Sequence, residues 1–184
     1  MKIEYASFCI RNADVSDAKI ICKWWNDDNL AKTIGFSNNF NIKEEEIIMQ
    51  LTHDRNHLIL GYQSQPIGEV IFREVGYKTI KLMIRICVSS LRDRGYGKIF
   101  ISMILQVLFY ELDHEKIIID TDLENIRAQH VFSTLGFNKI RVNMDCYKDH
   151  HGDMHSLVEY ELYRDEFNSY INSEDLVFHP QVDQ

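Results

Sequence analysis

Residues 92–98 read Arg-Asp-Arg-Gly-Tyr-Gly-Lys and stand between a strand-like run at 80–89 and a long apolar, helix-like run at 99–112. This junction constrains the chain more than any other segment, because a strand must pass into a helix through a tight turn with glycines two apart. Glycine lacks Cβ bulk, so backbone N–H groups at Gly95 and Gly97 can approach a ligand closely. The first turn of the following helix adds unpaired N–H donors and the positive end of the helix dipole. With Arg92, Arg94 and Lys98 beside it, the turn is suited to holding an anionic phosphate. Taken alone, it is equally compatible with a tight loop bearing solvated arginines.

A second segment changes that balance. After a short strand at 116–120 comes Asn125-Ile126-Arg127-Ala128-Gln129-His130-Val131-Phe132-Ser133-Thr134-Leu135-Gly136-Phe137. The asparagine, the alanine, the aromatic Phe132 and the Gly-Phe pair, downstream of Arg92-x-x-Gly95-x-Gly97, resemble the acetyl-CoA site of the GNAT superfamily of N-acetyltransferases. The resemblance covers residues 8–163. It implies an α/β (α+β) fold: a mixed, mostly antiparallel central sheet of six to seven strands with helices on both faces. It also implies acetyl-CoA as co-substrate. Backbone groups of Ile86, Cys87 and Val88 would pair with the pantetheine arm, Val88 offering its N–H to the thioester oxyanion. Arg94, Gly95, Gly97 and Lys98 would present N–H groups to the pyrophosphate, with Arg92 and Lys98 adding charge and Tyr96 beside them. Asn125 would bond the pantetheine arm, or serve simply as a helix N-cap.

Position 132 departs from the family pattern. Many members carry a tyrosine there that protonates the departing thiolate, and Phe132 has no proton to give. Tyr96, Tyr147 or water is left for that task. A thiol with a pKa of about 8–9 is also a tolerable leaving group, so loss of the acid costs about 10²-fold or is bypassed. For the base that takes the amine proton, Glu69 in the strand at 67–72 is the first candidate, although its alternating neighbours leave it facing either the site or solvent. Asp120 and Asp122 follow, with Glu74 weaker. Cys87 is the one thiol near the thioester and is expected to face the core, which favours direct transfer in a ternary complex. The run Trp24-Trp25-Asn26-Asp27 and the Phe-containing loop after it are similar to the aminoglycoside 6'-acetyltransferase and ribosomal-protein N-terminal acetyltransferase branches. That similarity implies acceptor contacts from Trp25, Asp27, Asp28, Phe36 and Phe40; core packing is the plainer role for the tryptophans.

Composition bounds the rest. The chain of 184 residues, 45% hydrophobic and 26% charged, suits one domain with a substantial core. Residues 1–164 are expected to form it, leaving 165–184 as a C-terminal extension, a short helix or a tail. A net charge of −8 and the absence of a basic run argue against nucleic acid and favour a small cationic amine. A protein N-terminus is the alternative acceptor, and a non-catalytic acyl-CoA binding module the alternative role. No apolar run is long enough to span a bilayer, no secretory signal opens the chain, and four scattered cysteines suit buried thiols in a cytoplasmic protein. Homodimerisation is left open. His150, His151, Asp153 and His155 read as a solvated hairpin tip rather than a metal site. His53 and His57 bracket the end of the second helix, where histidine can bond the last carbonyls.

Overall fold

A computed structural model describes residues 1–27, 41–53, 56–148 and 152–180. Strands β1 (Lys2–Tyr5) and β2 (Phe8–Asn12) form a hairpin whose Ile3 and Ile10 are fully buried. Asp14 and Asp17 then cap a 3-10 turn reciprocally, and Arg11 grips the Asp17 carboxylate through both terminal nitrogens at 2.7 and 2.8 Å. Helix α1 (Ala18–Trp25) buries Ala18, Ile21 and Trp24, spaced three apart on one stripe. Helix α2 (Glu44–His53) opens with three glutamates, as the dipole favours, and buries Ile47 and Leu51.

The meander β3 (His57–Tyr62), β4 (Gln65–Gly76) and β5 (Thr79–Ile86) follows, each strand antiparallel to the last. Helix α3 (Tyr96–Gln106) runs on into a π-helical turn, Val107–Glu111. Then come β6 (Lys116–Asp122), α4 (Ile126–Thr134), β7 (Asn138–Lys148) and β8 (Met154–Tyr163). Two 3-10 turns, Arg164–Glu166 and Ser173–Asp175, lead to β9 (Val177–His179).

The strands form one sheet in the order β7-β8-β6-β5-β4-β3-β2-β1-β9. Among the described strands only the β5–β6 pair is parallel. Helices α3 and α4 pack on one face, α1 and α2 on the other. The mixed, mostly antiparallel sheet and two-sided helix cover agree with expectation; the nine strands among the described residues exceed the six or seven expected. The two additional strands pair with each other, Ile3 opposite Phe178.

Helix α3 is apolar almost all round, with Phe100 to Leu105 buried without a break. Such a helix needs cover on its outer side too, and residues beyond 164 supply it. Ile171 joins the core beside Phe167, Leu176 and Phe178, and the Tyr170 N–H donates to Ser102 Oγ at 3.0 Å. Gly136, with φ of 98°, belongs to the same join: a Cβ there would lie 2.3 Å from the Glu166 carbonyl oxygen. No described helix is long and apolar enough to cross a membrane.

Candidate active site

The site begins where two strands part. Strands β5 and β6 pair from Thr79↔Lys116 only as far as Leu82↔Ile119, yet β5 continues to Ile86 and β6 to Asp122. Beyond Leu82 the edge of β5 that faces β6 is therefore unpaired. Cys87 and Val88 both donate their N–H groups to the Ile67 carbonyl on β4, at 2.8 and 3.2 Å. The period of two along a strand then turns the N–H groups of Ile84 and Ile86 into the slot. Val88, expected to offer the oxyanion donor, is turned the other way, and Cys87 with it. The Ile86 carbonyl is taken by Arg92 Nε at 3.1 Å, which fixes that guanidinium at the mouth of the slot.

The slot opens into a cavity of about 850 Å³. One end is the Gly-rich turn. Gly95 is the N-cap of α3 and sits at φ 78°, a left-handed conformation that excludes most side chains. At Gly97 a Cβ would meet no protein atom within 4 Å, so the fold itself does not require glycine there; a group seated against the turn would. Ile86, Arg92, Tyr96 and Lys98 line this end with the two glycines, and Arg127, at the start of α4, faces them. Arg127 pairs with Asp93 at 2.7 Å, tying the turn to α4. Asn125 caps α4 by accepting the Ala128 N–H at 3.1 Å. Its side-chain N–H₂ has no partner among the described residues and lies on the cavity wall. Phe132, 4% exposed, closes the wall, edge-on to Tyr160. Gly95, Gly97, the surrounding cations and Asn125 together fit a phosphorylated, amide-bearing ligand.

The other arm of the cavity lies on the α1–α2 face of the sheet. Trp25, Met83, Lys81, Arg85, Arg73 and Asp120 line it. Behind Trp25 and Arg85 sits Glu69, fully excluded from water. Its oxygens accept from Trp25 Nε1 at 3.0 and 3.1 Å and from His57 Nε2 at 2.8 Å, and Arg85 forms an ion pair with it through Nε and a terminal nitrogen. The Arg85 guanidinium also stacks 5.6 Å from the Trp25 ring. Burial alone would raise the Glu69 pKa; the His57 hydrogen bond and the Arg85 charge outweigh it and hold the group below the ordinary carboxylate value. His57 Nδ1 is buried with no hydrogen-bond partner among the described residues. Asp120, about one-third exposed, is ion-paired with Lys81 at 2.5 Å.

The two segments read from the sequence thus line one cavity. A family model described as an acetyltransferase (GNAT) domain matches residues 10–158. This chain belongs to the GNAT acetyltransferases.

Solved structures agree in fold. A GNAT-family acetyltransferase from Bacillus anthracis superposes with a TM-score of 0.75 at 17% identity, covering 90% of this chain and 100% of that one. A spermidine N-acetyltransferase from Vibrio cholerae, in complex with CoA and spermine, gives 0.77 at 18% identity, covering 88% and 98%. A ribosomal-protein-S5-alanine acetyltransferase from Vibrio fischeri gives 0.76 at 15% identity, covering 91% and 99%. At such identities the likeness is one of fold. Among curated proteins no match is found.

Of the residues read from the sequence of this acetyltransferase, Ile86, Arg92, Gly95, Tyr96, Gly97, Lys98, Asn125, Phe132, Asp120 and Trp25 line the cavity. Arg94 is exposed outside its wall, and Asp27, half-buried at the end of α1, is not part of the lining. Phe36, Phe40 and Asp28 lie outside the described residues, as do His150 and His151. Cys87 is buried among α1 and α2, and burial pushes its thiol up to about 12. Asp122 accepts from Tyr147 Oη at 2.7 Å and His155 Nδ1 at 2.9 Å beneath the end of β6. His53 Nδ1 lies 2.9 Å from the Met49 carbonyl, as the helix-end reading expects. His57 does not follow it; it is buried on Glu69. Arg73, Lys81, Arg85 and Arg127 also line the cavity, at positions that neither sequence motif marks as site residues. Arg85 carried a signal, since an arginine amid Ile84, Ile86 and Cys87 demands a carboxylate, and Glu69 stands directly opposite on β4.

Proposed function

We propose that this acetyltransferase passes acetyl from acetyl-CoA directly to a primary amine held in the Trp25 arm of the cavity. The observation that carries this reading is continuity: one cavity runs from the Gly95–Lys98 turn, through the slot between β5 and β6, to a wall bearing Asp120 and Trp25. Acetyl-CoA supplies an activated acyl group on a thiol that leaves readily. Gly95, Gly97, Lys98, Arg92 and Arg127 hold its phosphates, Asn125 bonds its amide arm, and the Ile84 and Ile86 N–H groups offer donors to a carbonyl in the slot. In the reaction the amine nitrogen forms a C–N bond to the acetyl carbon and the C–S bond breaks. The neutral amine gives one proton to Asp120 as the C–N bond forms, and water relays that proton from Asp120 to the departing thiolate, leaving the carboxylate ionised for the next turnover. Glu69 is a positioning residue: each oxygen is occupied by donors, and it holds Trp25 and Arg85 rather than reaching the amine.

The acceptor is a small amine in this reading. The preference for a cation drawn from the net charge of −8 does not extend to the acceptor wall, where Arg73, Lys81 and Arg85 face a single lining carboxylate, Asp120, among the described residues. The reading is tested by following acetyl-CoA consumption against small amines and short peptides with free N-termini, with Asp120→Asn as the variant. The expected result is turnover of small amines, with kcat in Asp120→Asn reduced by about 10²–10³-fold and acetyl-CoA affinity retained. Turnover confined to peptides would move the protein to N-terminal acetylation, and binding without turnover would leave a non-catalytic acyl-CoA module.

A further inference from the structure

We propose that the acceptor amine carries an anionic group, a carboxylate or phosphate, and that Arg73 is the residue that reads it. The inference rests on the acetyl-transfer reading above and concerns the far end of the same arm. Arg73 on β4 and Lys81 on β5 are direct cross-strand partners, and both line the cavity. Like charges placed opposite each other destabilise a strand pair unless an anion sits between them. Lys81 has such anions, Asp120 at 2.5 Å and Glu159 at 3.8 Å. Glu159 is drawn the other way by Arg141 at 2.8 Å. Arg73 has no hydrogen-bond or ion-pair partner among the described residues. Arg85, the third cation of this arm, is already matched by Glu69. Asp120 is the one carboxylate lining the arm among the described residues, and Lys81 balances its charge through one oxygen. The segments 28–40 and 54–55 add two aspartates, one lysine and one arginine to the chain, so their composition does not reverse the sign.

The spacing suits a short bifunctional substrate. Arg73 and Lys81 lie two residues, about 7 Å, along the ladder from Met83, which borders the slot. An amine at the slot and an anion at Arg73 are then separated by a chain of a few bonds. The planar guanidinium offers a carboxylate or phosphate two parallel donors. The Trp25 and Met83 side chains give the connecting methylenes an apolar surface.

The test compares molecules of matched length: 4-aminobutyrate, butylamine and 1,4-diaminobutane, with O-phosphoethanolamine separating phosphate from carboxylate recognition. In the parent protein kcat/KM for 4-aminobutyrate or O-phosphoethanolamine is expected to exceed that for butylamine at least about tenfold, with 1,4-diaminobutane poorest, as one charge-assisted contact allows. Arg73→Gln is expected to raise KM for the anionic acceptor and bring the ratio near unity, and Arg73→Lys to restore part of it. Arg73→Glu is expected to reverse the order in favour of the diamine. Arg73 is exposed, so these variants fold. Equal turnover of anionic and neutral amines, or a diamine preference in the parent, overturns the anion assignment while leaving acetyl transfer intact. Silence toward every amine, with acetyl-CoA still bound, overturns both.

Discussion

At the scale of single residues, two side chains that look chemically suggestive have their roles set by burial. Cys87 lies beside the slot, but its thiol is pushed up to about 12 and its N–H faces β4. At neutral pH only about one molecule in 10⁵ carries the thiolate. Cys87→Ala is therefore expected to keep kcat within about twofold while losing about 1 kcal/mol of stability to the small cavity; loss of turnover with normal acetyl-CoA binding would reveal a covalent carrier. Phe132 presents a ring, 4% exposed, to the cavity. Phe132→Tyr is expected to raise kcat up to about tenfold at pH 7. The gain should fade by about pH 9, because a thiolate leaves unaided above the thiol pKa of about 8.5. A gain that persists at high pH would contradict that account. Phe132 is legible in the sequence because its motif fixes it on the wall. Glu69 was not fully legible: alternation placed it on one face of β4, but four donors from α1, β3 and β5 decide its role, and those contacts are tertiary.

At the scale of elements, the proposed phosphate end depends on close backbone approach as well as on side-chain charge. Gly97→Leu projects a side chain into the cavity without meeting a protein atom within 4 Å. The unfolding midpoint should stay unchanged while acetyl-CoA affinity falls at least about 100-fold, the worth of one or two charge-assisted hydrogen bonds. Calorimetric binding beside a thermal melt reads both, and unchanged affinity would remove the turn from the cofactor site. The strand–turn–helix and strand–helix units were readable because each joins a periodic run to a distinctive turn. The direction of the Val88 N–H was not. It depends on the Ile67 carbonyl collecting two successive amides, an irregularity of pairing that leaves no mark on side-chain periodicity. Strand β1 leaves little mark in the sequence for a simpler reason: of its four residues only Ile3 is buried.

At the scale of the whole molecule, the chain beyond residue 164 completes the core over α3 and adds the edge strand. The all-round apolarity of residues 99–109 called for such a cover, but the polar spacing of 165–180 hides which residues provide it. Stability at low pH also belongs to this scale. Glu69 and Asp17 both titrate below their ordinary values of 4.5 and 3.8, Asp17 because Arg11 overcomes the effect of burial. Their contribution is complete above those values and is lost as pH falls through the lower folded-state values. Urea midpoints should be flat from about pH 7 to 5 and drop steeply below about 4; a midpoint falling already at pH 6 would point to other groups. Finally, a chain of net charge −8 encloses a cavity whose lining is cationic. An approaching polyanion is repelled at long range and drawn in only near the mouth. At 0.1 M salt the repulsion dies within about 10 Å, while the cavity's pull on a seated ligand is screened less. Capture of acetyl-CoA should therefore be faster at physiological salt than in dilute buffer, the reverse of steered association. Stopped-flow binding across a salt series reads this directly, and a rate that only falls with salt would mean that the cavity's field reaches beyond its mouth.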